Sequence, residues 1–238
     1  MMHEHPFFSI IVPAHNEERY IEGTLTHLAA LDYPEERYEV IVVENGSGDK
    51  TYEKAKKIEK GNMTIYSAPV KGVSGAKNFG IARMNSKADW VIFLDADTIL
   101  ERNFLKDLTA FLRRNQHRNY AVGTTAIRPS PPTLTARIWF AFYNLGHRIT
   151  KASFALQIVK RETLAHIRFD EELTMGEDLK LILDARHYGD FFYFHTTEVS
   201  TSTRRFEQEG WLRIFFHWNF VALLPTRLQK RFTYKVIR

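Results

Sequence analysis

Short apolar runs alternate with longer amphipathic segments through the first half of the chain. The runs at 7–13, 38–43 and 90–94 are apolar almost throughout, as buried strands are. Within 17–31, apolar residues recur every three or four positions, which is the spacing of one helix face. The predicted strands are 7–13, 38–43, 63–68 and 90–94, and the predicted helices are 17–31, 49–59, 73–84 and 101–115. Strands that alternate with helices pair in parallel through right-handed crossovers, so this order predicts an α/β fold with a mostly parallel sheet flanked by helices.

The regular alternation stops after Thr125. Three prolines within 129–132 interrupt the chain, and an aromatic segment follows at 137–147. Beyond it, the predicted strands are 154–159, 191–195 and 198–201, and the predicted helices are 161–167 and 177–188. The sequence has no internal repeat and no low-complexity linker. We therefore predict two halves, 1–127 and 128–238, that belong to one fold.

Composition excludes several classes of protein. Hydrophobic residues make up 44% of the 238 residues, which is enough for a full core and rules out a disordered chain. The absence of cysteine excludes disulfides, thiolate metal sites and cysteine nucleophiles. None of the ten histidines forms an H-E-x-x-H zinc motif. The first residues lack the features of a secretory signal, so a cytoplasmic location is expected.

Positive charge is concentrated towards the C-terminus. The net charge is +5, the last acidic residue is Glu209, and the bases that follow are Arg213, Arg227, Lys230, Arg231, Lys235 and Arg238. The uncharged stretch 214–226 is too short to span a bilayer, which takes about 20 residues. Aromatic residues beside bases suit an anionic membrane surface, and ordinary core packing with a solvated basic end is the alternative. One hypothesis is therefore peripheral attachment of 211–238 to the inner face of the cell membrane.

Polar clusters follow three of the predicted strands directly. They are His-Asn-Glu at 15–17, Glu-Asn-Gly-Ser at 44–47 and Asp-Ala-Asp at 95–97. Ligands of parallel α/β sheets bind at the carboxyl ends of the strands. We therefore expect one edge of the sheet to gather all three clusters.

Asp95 and Asp97 form the sharpest of these signals. Side chains two residues apart on an extended segment point the same way, so both carboxylates can face one ligand. Carboxylate oxygens suit Mg²⁺ or Mn²⁺, and two acids at the end of an apolar strand repel unless something stabilises both charges. A helix-capping turn is the alternative interpretation. The pair is a candidate divalent-cation site.

Glu177 and Asp178 form a second acidic pair, at the start of a predicted helix. Acids are favoured in a first helical turn by the helix dipole, so a cap is one interpretation. The other is a general base, with one carboxylate within reach of an acceptor hydroxyl and the other holding its place.

Glycines and a lysine within 72–78 suggest a phosphate cradle at a helix N-terminus. The segment does not match the P-loop, and no G-x-G-x-x-G follows a strand. Nucleotide hydrolases of the P-loop class and Rossmann dehydrogenases therefore lose support.

Taken in order, these motifs resemble those of family 2 glycosyltransferases, which have the GT-A fold. The matching segments are 9–18 (SIIVPAHNEE), 40–49 (VIVVENGSGD), 72–80 (GVSGAKNFG), 91–98 (VIFLDADT), 176–178 (GED) and, on the acceptor side, 202–206 (STRRF). The resemblance implies an inverting transferase that moves a sugar from a nucleoside-diphosphate sugar to a hydroxyl of a sugar or lipid-linked acceptor. Nucleic acid is not among the predicted partners.

The same resemblance implies roles for individual residues. The residues near the donor would be Pro13, Ala14, Glu17, Glu44, Lys77, Asn78 and Asp95. Asp97 would hold Mn²⁺ or Mg²⁺ against the diphosphate, and Asp178 would be the catalytic base, with Glu177 beside it. Arg204 and Arg205 would lie on the acceptor side. The first half would thus bind the donor and the second half the acceptor.

Two positions depart from the family pattern. The family usually has aspartate where this chain has Glu44, and arginine where it has Lys77. Lysine keeps the charge of arginine but not its bidentate geometry. The identity of the nucleotide base therefore stays open.

Two other functions compete with this interpretation. VIFLDADT also resembles the signature of haloacid dehalogenase-like phosphatases, in which Asp95 would be the nucleophile. That reading leaves the strand-end clusters before Asp95 unexplained. A non-catalytic membrane-surface or sugar-binding module is the second alternative, and its support is the aromatic and basic C-terminal segment.

Overall fold

The computed structural model describes residues 5–70, 72–153, 155–222, 224 and 226–230. In this part of the chain the strands are β1 (Phe8–Ala14), β2 (Tyr38–Glu44), β3 (Met63–Ser67), β4 (Trp90–Leu94), β5 (Thr98–Leu100), β6 (Tyr120–Thr125), β7 (Arg128–Ser130), β8 (Leu156–Lys160), β9 (Asp190–Phe194) and β10 (Val199–Ser202). Seven of them form one sheet in the order β3-β2-β1-β4-β8-β6-β9. The other three form a small sheet in the order β5-β10-β7.

The large sheet is mostly parallel, as the sequence predicts. β1 pairs in parallel with both β2 and β4, β2 pairs in parallel with β3, and β6 with β9. β8 alone runs antiparallel to its neighbours β4 and β6. Because β8 and β9 come from the second half of the sequence, both halves contribute to one α/β fold. The predicted start of the β8 strand, residue 154, lies outside the described residues.

Helices cover both faces of this sheet. They are α1 (Ile21–Ala29), α2 (Thr51–Ile58), α3 (Gly72–Ile81), α4 (Phe104–Arg114), α5 (Leu134–Thr150), α6 (Glu177–Ala185), α7 (Arg204–Glu209), α8 (Trp211–Ala222) and α9 (Thr226–Gln229). Successive side chains of β1 enter different cores: Ile10 and Val12 pack in one cluster, and Ile11 in the other. No helix in the described part of the chain is both long and apolar enough to cross a membrane.

Several elements differ from the predictions. The predicted helix 161–167 is only a 3₁₀ turn at Thr163–Ala165. The first helix starts at Ile21 rather than at residue 17, because residues 17–20 form a turn. In this turn the Glu17 N–H donates to the Thr51 hydroxyl, and the Glu18 N–H donates to the Asp49 carboxylate. The predictions missed β6, whose second half is glycine and two threonines. Gly123 is required there, since a Cβ would lie 2.5 Å from the Phe192 ring.

Candidate active site

The clusters that follow β1 and β2 meet at the carboxyl edge of the large sheet. Ala14 is in register with Glu44, and the Asn45 N–H donates to the Ala14 carbonyl at 3.1 Å. The Asn16 N–H donates to Ser47 Oγ at 3.0 Å, which ties the two loops together. Beside them an open pocket is lined by Asn16, Glu18, Arg19, Gly48, Asp49 and Arg204. The predicted convergence of these two strand ends is therefore present.

Glu44 is buried, and both of its carboxylate oxygens accept hydrogen bonds from within the protein. One oxygen accepts the Ser47 N–H at 2.5 Å, and the other accepts the Ser67 hydroxyl at 3.0 Å. In this arrangement the Glu44 carboxylate stabilises the loop after β2, and its oxygens are engaged within the protein. A role for Glu44 at the nucleotide base stays a prediction, as does one for Pro13 and Ala14, which are buried in β1.

Asp95 and Asp97 follow β4 in a tight turn. The Asp95 N–H donates to the Ala155 carbonyl, and the Thr98 N–H donates to the Asp95 carbonyl, both at 3.0 Å. Burial raises the pKa of Asp95 to about 7, partly offset by Lys77 and reinforced by Asp97. Burial likewise raises the pKa of Asp97 to about 6, partly offset by Arg204. Both carboxyls are thus short of the charge stabilisation that a cation supplies.

The small sheet brings Arg204 to these acids. β5 begins directly after Asp97, and β10 ends two residues before Arg204. Antiparallel pairing of β5 with β10 sets Thr98 opposite Thr201, and their hydroxyls are 2.8 Å apart. The Arg204 guanidinium consequently lies 3.3 Å from Asp97 Oδ2.

Arg204 joins two acids that are far apart in sequence. Besides Asp97, its guanidinium donates a hydrogen bond to Glu17, and it lies 4.5 Å from the centre of the Tyr20 ring. Burial raises the pKa of Glu17, and Arg204 only partly offsets this. Burial would lower the pKa of Arg204, but Glu17 and Asp97 outweigh it and raise that pKa. Although predicted for the acceptor side, Arg204 therefore touches two residues predicted for the donor and the metal.

Lys77 reaches the other acidic pair from α3. Its side chain is 1% exposed, and its Nζ lies 2.6 Å from Asp178 Oδ1 at the start of α6 and 4.8 Å from the Phe169 ring centre. Burial would lower the pKa of Lys77, yet Asp178, Glu177 and Asp95 together raise it. Burial and the neighbouring Asp178 raise the pKa of Glu177. Lys77 is thus the cation around which these three acids are arranged.

Asn78 and Arg205 have other partners. The Asn78 side-chain amide donates to the Phe169 carbonyl at 3.0 Å and to Glu171 at 2.8 Å, and its oxygen accepts the Phe169 N–H at 3.0 Å. Arg205 pairs with Glu209 one turn along α7, at 2.9 Å. Asn78 therefore holds the segment that places Phe169 over Lys77, and a ligand contact by either residue stays a prediction.

The charged side chains of this site fit a divalent cation that is bound partly by protein carboxylates and partly by a substrate. The carboxyls are Glu17, Asp95, Asp97, Glu177 and Asp178, and the cations among them are Lys77 and Arg204. Five acids against two bases leave a surplus of negative charge. Yet among the residues that the structure describes, no three histidine, aspartate or glutamate side chains are grouped to hold a metal alone. Mg²⁺ and Mn²⁺ commonly take one or two carboxylates and complete their coordination with phosphates and water.

Sequence reasoning missed several residues that support these groups. Thr201 donates to Asp97 at 3.4 Å, Phe169 covers Lys77, and Ser67 donates to Glu44. Each is distant in sequence from its partner and of a common residue type. No local pattern marks them, because tertiary structure creates each contact. Strand pairing places Thr201 and Ser67, and the hydrogen bonds of Asn78 hold Phe169.

Comparison with known proteins gives the site a family context. Residues 9–170 match the family described as Glycosyl transferase family 2. The Staphylococcus aureus poly(ribitol-phosphate) beta-N-acetylglucosaminyltransferase TarS is 33% identical over 203 residues, which are 80% of this chain and 35% of TarS. A Methanococcus voltae enzyme, named as a dolichyl N-acetyl-alpha-D-glucosaminyl phosphate 3-beta-D-2,3-diacetamido-2,3-dideoxy-beta-D-glucuronosyltransferase, is 36% identical over 217 residues, 82% of this chain and 66% of that protein. The chain thus spans about a third of TarS and about two thirds of the Methanococcus enzyme.

Solved structures with the same fold carry nucleotide sugars. TarS 1–349 in complex with UDP-GlcNAc superposes with a TM-score of 0.66 at 23% identity, covering 83% of this chain and 59% of that one. The mannosyltransferase PcManGT from Pyrobaculum calidifontis, in complex with GDP-Man and Mn²⁺, has a TM-score of 0.66 at 20% identity, covering 83% and 56%. These likenesses confirm the predicted GT-A fold. None of these relatives and structures is a phosphatase or a non-catalytic module.

Proposed function

Because the chain belongs to glycosyltransferase family 2, we propose that it transfers a sugar from a nucleoside-diphosphate sugar to a hydroxyl acceptor, with inversion at the anomeric carbon. One observation carries the proposal: Lys77 and Arg204 lie among five carboxyls at the point where β4 ends. Acids and bases gathered at that edge suit a charged, phosphate-containing donor. The first half would bind this donor, and the second half would bind the acceptor.

In this proposal Asp97 holds a divalent cation, Mn²⁺ or Mg²⁺. The bound cation would offset the negative charge that develops on the leaving diphosphate. The raised pKa of Asp97 and the negative surplus around it support this role. So does the fold neighbour PcManGT, whose structure contains Mn²⁺ beside GDP-Man. Asp95, which follows β4 in the same turn, would contact the donor next to Asp97.

Asp178 is proposed as the catalytic base. Its carboxylate takes the proton of the acceptor hydroxyl while that oxygen attacks the anomeric carbon from the side opposite the leaving diphosphate. The ion pair with Lys77 supports this role, because the ammonium holds the Asp178 carboxylate in one position. Glu177, the preceding residue of α6, would position this base and add negative charge beside Lys77.

Arg204 is proposed to link the donor and acceptor sides of the site. It enters from α7, which belongs to the second half of the chain, and contacts Glu17 and Asp97 from the first half. A planar guanidinium suits bidentate contacts to phosphate oxygens as well as to carboxylates. We expect Arg204 to contact the diphosphate when the donor is bound, and Arg205 to remain on the acceptor side.

The acceptor is proposed to be a sugar or a lipid-linked sugar. The Methanococcus relative supports the lipid-linked class, since its name describes a dolichyl-phosphate-linked sugar as acceptor. TarS supports a polymer carrying hydroxyls, since its name describes poly(ribitol phosphate). A lipid-linked acceptor would place the reaction at the inner face of the cell membrane.

A thermal-shift panel tests the proposal. Nucleoside diphosphates and their sugars are added with and without Mn²⁺, because a ligand that binds the folded state raises the unfolding temperature. We expect stabilisation by one class of nucleotide and a larger shift with Mn²⁺, followed by sugar transfer to a hydroxyl acceptor. No shift with any nucleotide, together with Asp95-dependent hydrolysis of p-nitrophenyl phosphate, would favour the phosphatase instead.

A further inference from the structure

α5 exposes a stripe of large apolar side chains. Its members are Leu134, Ile138, Phe142, Leu145 and Ile149, each more than half exposed. With 3.6 residues per turn they fall within an arc of about 80° on one side of the helix. The buried residues Phe140 and Tyr143 lie on another side and pack in the core. The stripe is therefore additional to the face that the fold buries.

α8 exposes a second stripe beside the first. Leu212, Phe216 and Phe220 are spaced by four residues, and each is more than half exposed. Rings join the two helices: Phe142 lies 5.4 Å from Phe215, which lies 5.4 Å from Phe216, measured between ring centres. The eight exposed side chains of the two stripes thus form one continuous surface, named here the α5–α8 face.

Most of the exposed large hydrophobic side chains in the described residues are gathered on the α5–α8 face. Elsewhere in the described residues the exposed large hydrophobic side chains are Leu183, Tyr188 and Leu228. Single exposed apolar residues are normal on proteins, whereas contiguous patches mark interaction surfaces.

The charged side chains of α5 and α8 themselves are of one sign. Neither α5 nor α8 contains an aspartate or a glutamate. Arg137 and Arg148 are exposed on α5, and Arg213 is exposed on α8. A second copy docked through the same surface would bring like charges together, which disfavours self-association. Anionic phospholipid offers both an apolar layer and complementary charge.

We propose that the α5–α8 face docks the protein on the surface of an anionic membrane. The eight apolar side chains enter the boundary between head groups and acyl chains, and Arg137, Arg148 and Arg213 lie against lipid phosphates. The sequence predicts such contact for 211–238 alone, whereas α5 supplies five of the eight apolar side chains. The tail bases at 231, 235 and 238 lie outside the described residues.

The docked surface connects directly to the candidate active site. Phe206 of α7 lies beneath it, with its ring centre 4.8 Å from Trp211 and 5.6 Å from Phe140. The same short helix begins with Arg204, which contacts Asp97. The membrane-docked helices therefore hold the site at a set position relative to the lipid surface.

Vesicle flotation of the full chain tests this proposal. The vesicles are phosphatidylcholine alone or phosphatidylcholine with phosphatidylglycerol, and we expect binding to the anionic mixture. The triple variant Ile138→Ser/Leu145→Ser/Phe216→Ser should weaken binding at least about tenfold. Ile138→Ser alone should weaken it measurably, whereas the matched control Leu183→Ser on α6 should bind as the parent does. Arg137→Gln/Arg148→Gln/Arg213→Gln should also reduce binding to the anionic vesicles.

Several outcomes would overturn the docking proposal. They are no binding by the parent protein, equal binding to neutral and anionic vesicles, and parent-like binding by the triple apolar variant. A parent dimer that the triple variant converts to a monomer, with no vesicle binding by either, would assign the face to a second copy. The arginine variant keeps the test open should the triple apolar variant fail to fold. Nucleotide-induced thermal shifts are measured separately, so failure of docking is distinguishable from failure of the proposed transferase activity.

Discussion

Lys77 donates a 2.6 Å hydrogen bond to the carboxylate of Asp178, although 101 residues separate them along the chain. The contact joins α3, which packs on the first strands of the sheet, to the start of α6 in the second half. Since Lys77 is 1% exposed, this ion pair is shielded from water on the lysine side. It therefore couples the position of the proposed base to the donor half of the fold.

Lys77→Met should destabilise the protein strongly. The substitution leaves Asp178, Glu177 and Asp95 together without their buried cation, and breaking a buried pair costs about 3–5 kcal/mol. Urea unfolding followed by circular dichroism measures the free energy of unfolding. Lys77→Arg, which keeps the charge, should lose less than Lys77→Met. Equal stability of the parent and the methionine variant would contradict the importance of this ion pair.

Asp178→Asn should slow sugar transfer sharply while donor binding persists. A positioned general base contributes about 10²–10⁴-fold to a rate, so a loss in that range is expected in single-turnover transfer. Nucleotide binding, followed by titration calorimetry, should change little. Glu177→Gln is the matched comparison on the adjacent residue and should have a smaller effect on transfer. Parent-like transfer by Asp178→Asn would show that another residue is the base.

Asp97→Asn should remove the response to divalent cations. Losing several kcal/mol of charge stabilisation at the leaving diphosphate corresponds to a fall of more than about 100-fold in turnover. Donor turnover is measured across a Mn²⁺ titration. The control is Asp32→Asn, the same chemical change in a solvent-exposed ion pair with Lys106. Its turnover should depend on Mn²⁺ as that of the parent does. Mn²⁺-dependent turnover that survives in Asp97→Asn would refute the metal assignment.

The stability of the metal-free protein should fall as pH rises from about 4 to 8. Burial raises the pKa of Asp95 to about 7 and that of Asp97 to about 6, from 3.8. The folded state therefore holds more protons than the unfolded state in this range, and its advantage is lost as pH rises through the folded pKa values. Urea unfolding at several pH values in chelator measures the slope. We expect a shallower slope for Asp95→Asn and Asp97→Asn, and an unchanged slope would contradict the raised pKa values.

Arg204→Lys should impair donor turnover more than Arg205→Lys does. Arg204 contacts Glu17 and Asp97, whereas Arg205 pairs with Glu209 on its own helix. Lysine keeps the charge but cannot reproduce a bidentate guanidinium contact, so at least a tenfold, or about 1.4 kcal/mol, loss is expected for Arg204. The Michaelis constant for the donor and the maximal rate are measured for both variants. A larger effect at Arg205 would reverse the proposed roles.

Much of the architecture could be predicted from local sequence patterns. Apolar runs and helical spacing were sufficient to predict β1, β2, β4 and α4. The order of these elements was sufficient to predict the mostly parallel sheet. The D-x-D and Glu-Asp pairs stood out because acids directly after apolar strands or at helix starts are local patterns. β6 was missed, because its glycine and threonines become a buried strand only through pairing with β8 and β9 on either side.

The sequence by itself therefore determined the fold class, the family and the sheet edge at which polar residues collect, since each is encoded in periodicity and order over a few residues. Only the tertiary structure decided which of those residues touch. The pairing of β5 with β10 brings Arg204 to Asp97. The position of α3 relative to the start of α6 brings Lys77 to Asp178, and the ring contacts between α5 and α8 merge two exposed stripes into one face. The physical reason is that these contacts join residues distant along the chain, and no short-range spacing specifies the geometry that brings them together.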